Sequence, residues 1–335
     1  MESLFLPFLL VIFASVFQGS FGLGMKFMSP LKWEAWWLVH SLFAMILIPT
    51  AWALLVTPDL FGVLTSAPAE DMLMAIFFGL LWGIGGILFG KSVPYIGISL
   101  TYGIVMGVCS AAGGLIPLFA ANKEEFQIFE PALPYIIGGV FLMLIGVAIT
   151  AYAGVQKDKL QGGNTNGGNN FKTGLVIAVL SGLLSAFLAI GFAEGRAIGE
   201  LAEAAGAIPR NSSLSIWVVV LWGGFIMNAG YALFLLFKNK TWDSFSTPNA
   251  GKAYAWSIGA AFLWFGALGI YGQGATLMGS LGEVIAWPMM LGLSLIVGNI
   301  WSYVNKEWEG AKKPFNMMLC GVLIIIVAVI IMGYS

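Results

Sequence analysis

The sequence has little charge: 15 lysines and arginines and 16 aspartates and glutamates make up only 9% of its 335 residues. A soluble globular domain carries charge on about 25% of its residues, so this chain cannot cover a water-facing surface. Its net charge of -1 and its lack of a basic cluster give no field that attracts nucleic-acid phosphates. These scarcities exclude a soluble domain and predict no nucleic-acid partner.

Histidine and cysteine are also scarce, because the chain has one histidine, His40, and two cysteines, Cys109 and Cys320. Side chains so few and so scattered form neither a metal site nor a disulfide framework, and we predict no metal and no cofactor. An intramembrane enzyme would need a clustered acid-base or metal set that the sequence does not show, so we predict no enzyme. A scaffold subunit is an alternative, and its stability or activity would depend on a partner protein.

Long apolar runs dominate what is present: apolar residues make up 59% of the chain and the mean hydropathy is +0.91. A run of about 20 residues crosses a hydrocarbon core of about 30 Å. The first run follows no basic signal-peptide region, so we expect it to be retained as a span. We predict an all-α membrane protein with ten transmembrane helices, at residues 3–26, 34–56, 71–91, 94–119, 132–154, 173–196, 213–237, 253–273, 276–303 and 315–334.

The lysines and arginines predict an orientation. Only three of them, Lys123, Arg196 and Arg210, fall in one set of alternate connections. The positive-inside rule then places the other, lysine-rich set in the cytoplasm and both termini outside a bacterial inner (plasma) membrane. The lysine-rich set contains twelve residues: Lys26, Lys32, Lys91, Lys157, Lys159, Lys172, Lys238, Lys240, Lys252, Lys306, Lys312 and Lys313.

A Gly/Asn-rich linker predicted at 156–171 divides the chain into two five-helix halves, 1–155 and 172–335. Because five is odd, the halves must have opposite orientations, as in many secondary transporters. Four residues of the first half recur 182 positions later, which favours two inverted repeats. These pairs are Trp82 and Trp264, Gly90 and Gly272, Gly97 and Gly279, and Gly139 and Gly321.

Two ionisable side chains inside the predicted spans are candidates for proton coupling. Glu283 lies about 10 Å into helix 9, and no other charged residue occurs between Lys252 and Lys306. An intramembrane carboxyl is costly to bury, so it is a functional candidate that could load and release a proton. Its alternative is a structural role in a wet vestibule or against a neighbouring helix. His40 in helix 2 is the second candidate, with an interhelical hydrogen bond as its alternative.

Polar and aromatic residues within the spans are candidates for binding a small molecule rich in hydroxyl groups. Amides both donate and accept hydrogen bonds, and mid-span indoles can stack on the apolar face of a sugar. Ordinary helix packing is the alternative for each of them. The binding candidates are Gln18, Trp82, Tyr102, Asn228, Gln273, Trp287, Asn299 and Arg196, whereas Trp33, Trp36, Trp37, Trp52, Trp242 and Trp308 fit an interfacial aromatic belt.

Several motifs resemble the L-rhamnose:proton symporter family of the drug/metabolite transporter superfamily. They include Trp33-Glu34, the stretch from Trp82 to Gly85 and, most specifically, Lys306-Glu-Trp308. The resemblance implies ten helices in two inverted halves, a sugar carried inward with a proton, and an acidic residue at the position of Glu283. Departures from the family pattern, at Ala197, Gly199, Gly86 and Leu88, leave the exact sugar open.

We therefore expect a proton-coupled importer of L-rhamnose or a similar monosaccharide that works by alternating access and acts as a monomer in the lipid bilayer. Protons would be its coupling ion. An exporter or antiporter of another small metabolite is the alternative, because a shared architecture does not fix substrate or direction.

Overall fold

The computed structural model describes residues 5–120, 126–127, 129–162 and 169–334, and the regular structure within these ranges is helical. Ten helices in the described part are long and apolar enough to span a membrane, which confirms the predicted number. They are α1 (Phe5–Phe27), α2 (Trp33–Val56), α3 (Ala69–Ile96), α4 (Ile98–Phe119), α5 (Glu130–Leu160), α6 (Phe171–Ala204), α7 (Pro209–Asn239), α8 (Gly251–Leu277), α9 (Ser280–Val304) and α10 (Lys312–Met332). Part of the predicted linker, 163–168, lies outside the described residues.

Two helix boundaries are set by glycine rather than by the residues that the sequence suggested. The sequence predicts a break between residues 91 and 94, but α3 continues through Pro94 and ends just before Gly97, whose φ is +81°. Near the end of a long helix, proline removes a single hydrogen bond, whereas a left-handed φ stops the helix and is accessible to glycine. Gly279, with a φ of +64°, separates α8 from α9 in the same way, so α9 starts later than predicted.

Two further spans are irregular for local reasons. Within α2, the wider π turn Phe43–Leu47 precedes Pro49. The proline ring would clash with the carbonyl four residues earlier, and a wider turn relieves that clash. The span α6 is interrupted: its first α-helix ends at Glu194, two residues before the predicted end, and after Gly195 a further helix runs over Arg196–Ala204.

The chain forms two compact units that each draw helices from both halves of the sequence. The first unit comprises the residues up to Gly83 together with Ile190–Met278, and the second comprises Ile84–Ala189 together with the residues from Gly279 onward. In the first unit α1 packs on α8, and α2 packs on α7. In the second unit α5 packs along α10, and α4 packs on α5 and α9. Helices α3 and α6 pass from one unit into the other along the chain.

Glycines bring α5 and α10 into close contact in the second unit. A Cβ atom added to Gly146 would lie 2.9 Å from the carbonyl oxygen of Gly321 and 2.7 Å from Cγ1 of Ile325. A Cβ atom added to Gly321 would lie 2.8 Å from the carbonyl oxygen of Gly146. Small residues allow such close approach of helices within a membrane, where dispersion forces rather than water drive association.

Candidate functional site

The imidazole of His40 lies buried in an aromatic cluster in the first unit. Its ring is nearly parallel to the indole of Trp36, with centroids 5.3 Å apart, and to that of Trp37, at 4.9 Å. Its Nδ1 atom lies 3.4 Å from the carbonyl oxygen of Ser257 on α8. Since a carbonyl only accepts, Nδ1 carries the proton of the neutral ring in this arrangement and Nε2 is left as an acceptor.

A second stacked pair extends this cluster. Trp82 of α3 and Trp264 of α8 stack with ring centroids 5.4 Å apart and an angle of 24°. Trp264 also meets the His40 ring edge-on at 6.4 Å. Gly224 of α7 makes room for Trp82, since a Cβ atom there would lie 2.6 Å from the indole. We call Trp36, Trp37, His40, Trp82 and Trp264 the aromatic cluster.

Asn228 ties the aromatic cluster to α7. Its Oδ1 accepts a hydrogen bond of 3.0 Å from Nε1 of Trp37, and its Nδ2 donates to the carbonyl oxygen of Gly224 at 2.9 Å. An amide offers two N–H donors and two acceptor lone pairs, so one of each stays available after these bonds. Asn228 therefore links α2 to α7 and keeps the capacity to bind one hydroxyl group.

Three buried polar atoms of the first unit have no hydrogen-bond partner among the described residues: Oε1 of Gln18, Nε1 of Trp36 and Nε1 of Trp217. Gln18 lies on α1 one turn before Phe21, whose ring stacks on His40 at 6.4 Å. An unsatisfied buried acceptor and an unsatisfied buried donor each cost free energy, which a ligand hydroxyl would recover.

The remaining candidates of the first unit lie away from these contacts. Gln273 is half-buried on α8, nine residues after Trp264, which is about 13 Å along the helix axis. Arg196 is exposed at the start of the helix Arg196–Ala204. The structure thus brings Gln18, Trp82, Asn228 and His40 into one region through their helices and rings, and it does not place Gln273 or Arg196 in the cluster.

The other candidates belong to the second unit. The backbone of Glu283 lies in the first turn of α9, and its side chain lies outside the described part of the structure. Trp287, one turn later, is buried. A Cβ atom on Gly113 would lie 2.6 Å from Nε1 of Trp287, so this glycine lets the indole pack against α4.

Tyr102 and Asn299 have partners inside the second unit. Tyr102 meets the ring of Phe89 edge-on at 6.2 Å between centroids. The Nδ2 atom of Asn299 donates to the carbonyl oxygen of Leu295 in its own helix at 2.9 Å. One of the two N–H donors of Asn299 is therefore used within α9, and its second N–H and its Oδ1 are the groups that a ligand would use.

Sequence reasoning missed Trp36 and Trp37, which it assigned to the interfacial belt. That assignment is wrong for Trp36, which is 0% exposed and packs on His40 instead of facing a headgroup region. The spacing of Trp36, Trp37 and His40 carried a usable signal, because residues three and four apart share a helix face. Trp242, by contrast, is 42% exposed and fits a belt position.

The ten spans and the aromatic cluster buried among them define a multi-pass helical membrane protein. A profile of the family described as L-rhamnose-proton symport protein matches residues 4–335. The chain therefore belongs to the L-rhamnose-proton symport protein family.

Curated relatives agree with this family. An L-rhamnose-proton symporter of Yersinia pestis (strain Pestoides F) is 29% identical over 308 residues, which cover 90% of this chain and 89% of the relative. An L-rhamnose-proton symporter of Escherichia coli O1:K1 / APEC is 29% identical over 309 residues with the same coverage. Because these relatives carry transporter names, the expectation that the chain is not an enzyme is confirmed.

A solved crystal structure shares the fold of the chain. It matches with a TM-score of 0.55 and 14% sequence identity, and the match covers 96% of this chain and 94% of the other. At this identity the likeness concerns the fold alone.

Proposed function

We propose that the protein imports L-rhamnose, or a closely similar monosaccharide, together with a proton across the bacterial inner membrane. Beside family membership, one structural observation supports the proposal. It is the aromatic cluster around His40, in which Trp37 donates a hydrogen bond to Asn228. Indole faces and amide groups together match a sugar, which has an apolar C–H face and a rim of hydroxyl groups. The export or antiport alternative is not favoured, since the relatives are named as symporters.

The sugar binds on the aromatic cluster in the first unit. The indoles of Trp82 and Trp264 offer an apolar surface to the sugar ring and to the methyl group of a deoxy sugar. Asn228 supplies one donor and one acceptor, and Gln18 supplies a buried acceptor. Tyr102, Gln273, Trp287, Asn299 and Arg196 stay as secondary binding candidates on other parts of the helices.

Glu283 couples the proton to transport. It is the single acidic residue of the sequence between Lys252 and Lys306, and it stands at the start of a span. Coupling requires that protonation and sugar each favour the same conformational state, because a ligand that binds two states equally shifts neither. We assign His40, the other proton candidate, to the sugar instead, because its contact with Ser257 leaves Nε2 as an acceptor for a hydroxyl group.

Inverted repeats of five helices, as in the drug/metabolite transporter superfamily, are part of the proposal. They are supported by the positive φ of both Gly97 and Gly279, which stand 182 positions apart (97 to 279). The contact of Gly146 with Gly321 has a counterpart: a Cβ atom on Gly139 would lie 3.2 Å from the carbonyl oxygen of Ala328. The same shift of 182 residues relates the two contacts: residue 146 corresponds to residue 328, and residue 321 corresponds to residue 139. Such exchanged contacts are what a two-fold relation between repeats produces.

In this proposal the first repeat is 1–155, the linker 156–171 is cytoplasmic, and the second repeat is 172–335. The lysine-rich connections face the cytoplasm, both termini lie outside, and the protein works as a monomer. The distribution of lysine and arginine supports this orientation.

Uptake by the purified protein in proteoliposomes tests the function. We expect radiolabelled L-rhamnose to accumulate above its external concentration under an inward proton gradient, and to equilibrate only when a protonophore collapses that gradient. A panel of monosaccharides as competitors identifies the preferred sugar. Sugar uptake that ignores the proton gradient, or accumulation of none of the sugars, would reject symport.

A further inference from the structure

A buried carboxylate outside the aromatic cluster joins the first turn of α2 to the end of α7. Glu34 is 6% exposed, and its Oε1 atom accepts hydrogen bonds from Nδ2 of Asn239 at 3.1 Å and from Oγ1 of Thr241 at 2.5 Å. Both donors are neutral side chains. A buried carboxylate needs such bonds, because burying a polar group without a partner is costly.

The backbone at the end of α7 is shaped for this contact. Lys240 ends the helix with a φ of +55°, a left-handed conformation that residues other than glycine rarely adopt. This turn carries the chain to Thr241, whose hydroxyl reaches Glu34. Strained backbone of this kind persists where the surrounding structure requires it.

A second bond fixes the same end of α2. The backbone N–H of Lys32, the residue just before α2, donates to Oγ of Ser244 at 2.8 Å. Ser244 lies in the short helix Trp242–Ser246 of the α7–α8 connection. The start of α2 is thus held by two hydrogen-bonded contacts from the chain that follows α7.

The position of Glu34 relates these contacts to the sugar-binding residues. Trp37 lies three residues, or about 4.5 Å along the axis, after Glu34, and it donates the hydrogen bond to Asn228 of α7. The other end of the α2–α7 pair is held by Thr57 and Ser215, whose hydroxyl oxygens are 3.1 Å apart. The helix pair is therefore fixed at both ends, with the bond from Trp37 to Asn228 between them.

We propose that Glu34 is a positioning residue for sugar binding: its two hydrogen bonds set the register of α2 against α7 and thereby hold Trp37 and Asn228 in place. This inference rests on the proposed function. It differs from a proton-coupling role, because both bonds fall on one carboxylate oxygen, and the Oε1 atom of a glutamine can accept both.

Three variants test the proposal: Glu34→Ala, Glu34→Gln and, as a control, Asp243→Ala, which removes an exposed acid from the same connection. We expect Glu34→Ala to raise the KM for L-rhamnose uptake about tenfold, as the loss of about 1.4 kcal/mol of binding free energy would, with Vmax nearly unchanged. Glu34→Gln and Asp243→Ala keep the wild-type KM and the wild-type pH profile of uptake. A Glu34→Gln variant that loses proton-driven accumulation would overturn the proposal in favour of a charge-carrying role.

A second readout needs no transport. Trp33 and Trp37 stack with centroids 5.4 Å apart and an angle of 12°, so their indoles give a coupled circular dichroism signal. We expect Glu34→Ala to change this signal and Glu34→Gln to keep it. An unchanged signal in folded Glu34→Ala protein would overturn the positioning role. If the signal changes but the wild-type protein binds no L-rhamnose, the proposed function fails while the positioning of the indoles stands.

Discussion

Trp82 and Trp264 stack on each other at 5.4 Å, and they stand at positions that differ by the same 182 residues (82 to 264) that separate Gly97 from Gly279. If two repeats are related by a two-fold axis, a contact between equivalent residues lies on that axis. When the repeats exchange conformations during alternating access, the two residues of such a contact exchange places and stay in contact with each other. The indole pair is therefore suited to carry a sugar-binding surface that persists in both states.

Replacing either indole with alanine tests this surface. We expect Trp82→Ala and Trp264→Ala each to raise the KM for L-rhamnose about tenfold, since an aromatic contact is worth up to about 1.5 kcal/mol beyond the area that it buries. Trp82→Phe and Trp264→Phe keep an aromatic face, so we expect their KM values to lie between those of the wild type and the alanine variants. Trp242→Ala, at an exposed position, is the control. Wild-type KM values in both alanine variants would remove the pair from the sugar site.

The bond between Trp37 and Asn228 is best measured with a double-mutant cycle. Trp37→Phe removes the indole donor and Asn228→Ala removes the acceptor. Because the two side chains bond each other, we expect a coupling free energy for sugar binding of about 0.6 to 1.7 kcal/mol, the range found for hydrogen bonds within membranes. Isothermal titration of L-rhamnose against the four proteins measures it. Additive effects would show that the bond does not support binding.

His40 separates a sugar-binding role from a proton-coupling role. A His40→Gln variant keeps a donor and an acceptor without a group that titrates near neutral pH. We expect it to bind L-rhamnose with no more than about a tenfold loss in affinity and to keep the pH profile of wild-type uptake. His40→Leu loses binding more strongly. A flattened pH profile in His40→Gln would return His40 to the proton pathway.

The close contact of α5 with α10 makes a prediction about stability. Gly146→Ala places a Cβ atom 2.9 Å from the carbonyl oxygen of Gly321, and we expect a loss of about 1 to 3 kcal/mol from overpacking. Gly138→Ala, on the same helix, is the matched control, since its Cβ atom would meet nothing within 4 Å. Thermal unfolding in detergent distinguishes them. Equal melting temperatures of the two variants would show that α5 and α10 move apart at Gly146 at little cost in free energy.

The ten spans and their approximate positions were predictable from hydropathy, because the length of an apolar run is fixed by the membrane. The ends at Gly97 and Gly279 were not, since a proline is a more visible helix breaker than a glycine with positive φ. The aromatic cluster was predictable in part. Trp82 and Asn228 stood out at mid-span, whereas Trp36 and Trp37 resembled belt residues near a helix end.

Sequence order also could not predict which helices pack together. The linker divides the chain into halves, but the compact units combine α1 with α8 and α5 with α10. Pairing of this kind depends on contacts between residues distant in sequence, such as Gly146 and Gly321. Nothing in the sequence distinguishes these two from the other residues among its 44 glycines.

Sugar-induced proton movement tests the central claim, coupling through Glu283, most directly. Proteoliposomes with the wild-type protein are held without a gradient, L-rhamnose is added outside, and the external pH is recorded in lightly buffered medium. Symport carries protons inward with the sugar, so we predict that the external medium becomes alkaline. In Glu283→Gln proteoliposomes the pH stays constant, while exchange of internal for external L-rhamnose continues and shows that the variant is folded. Alkalinisation by Glu283→Gln equal to that of the wild type would contradict the account.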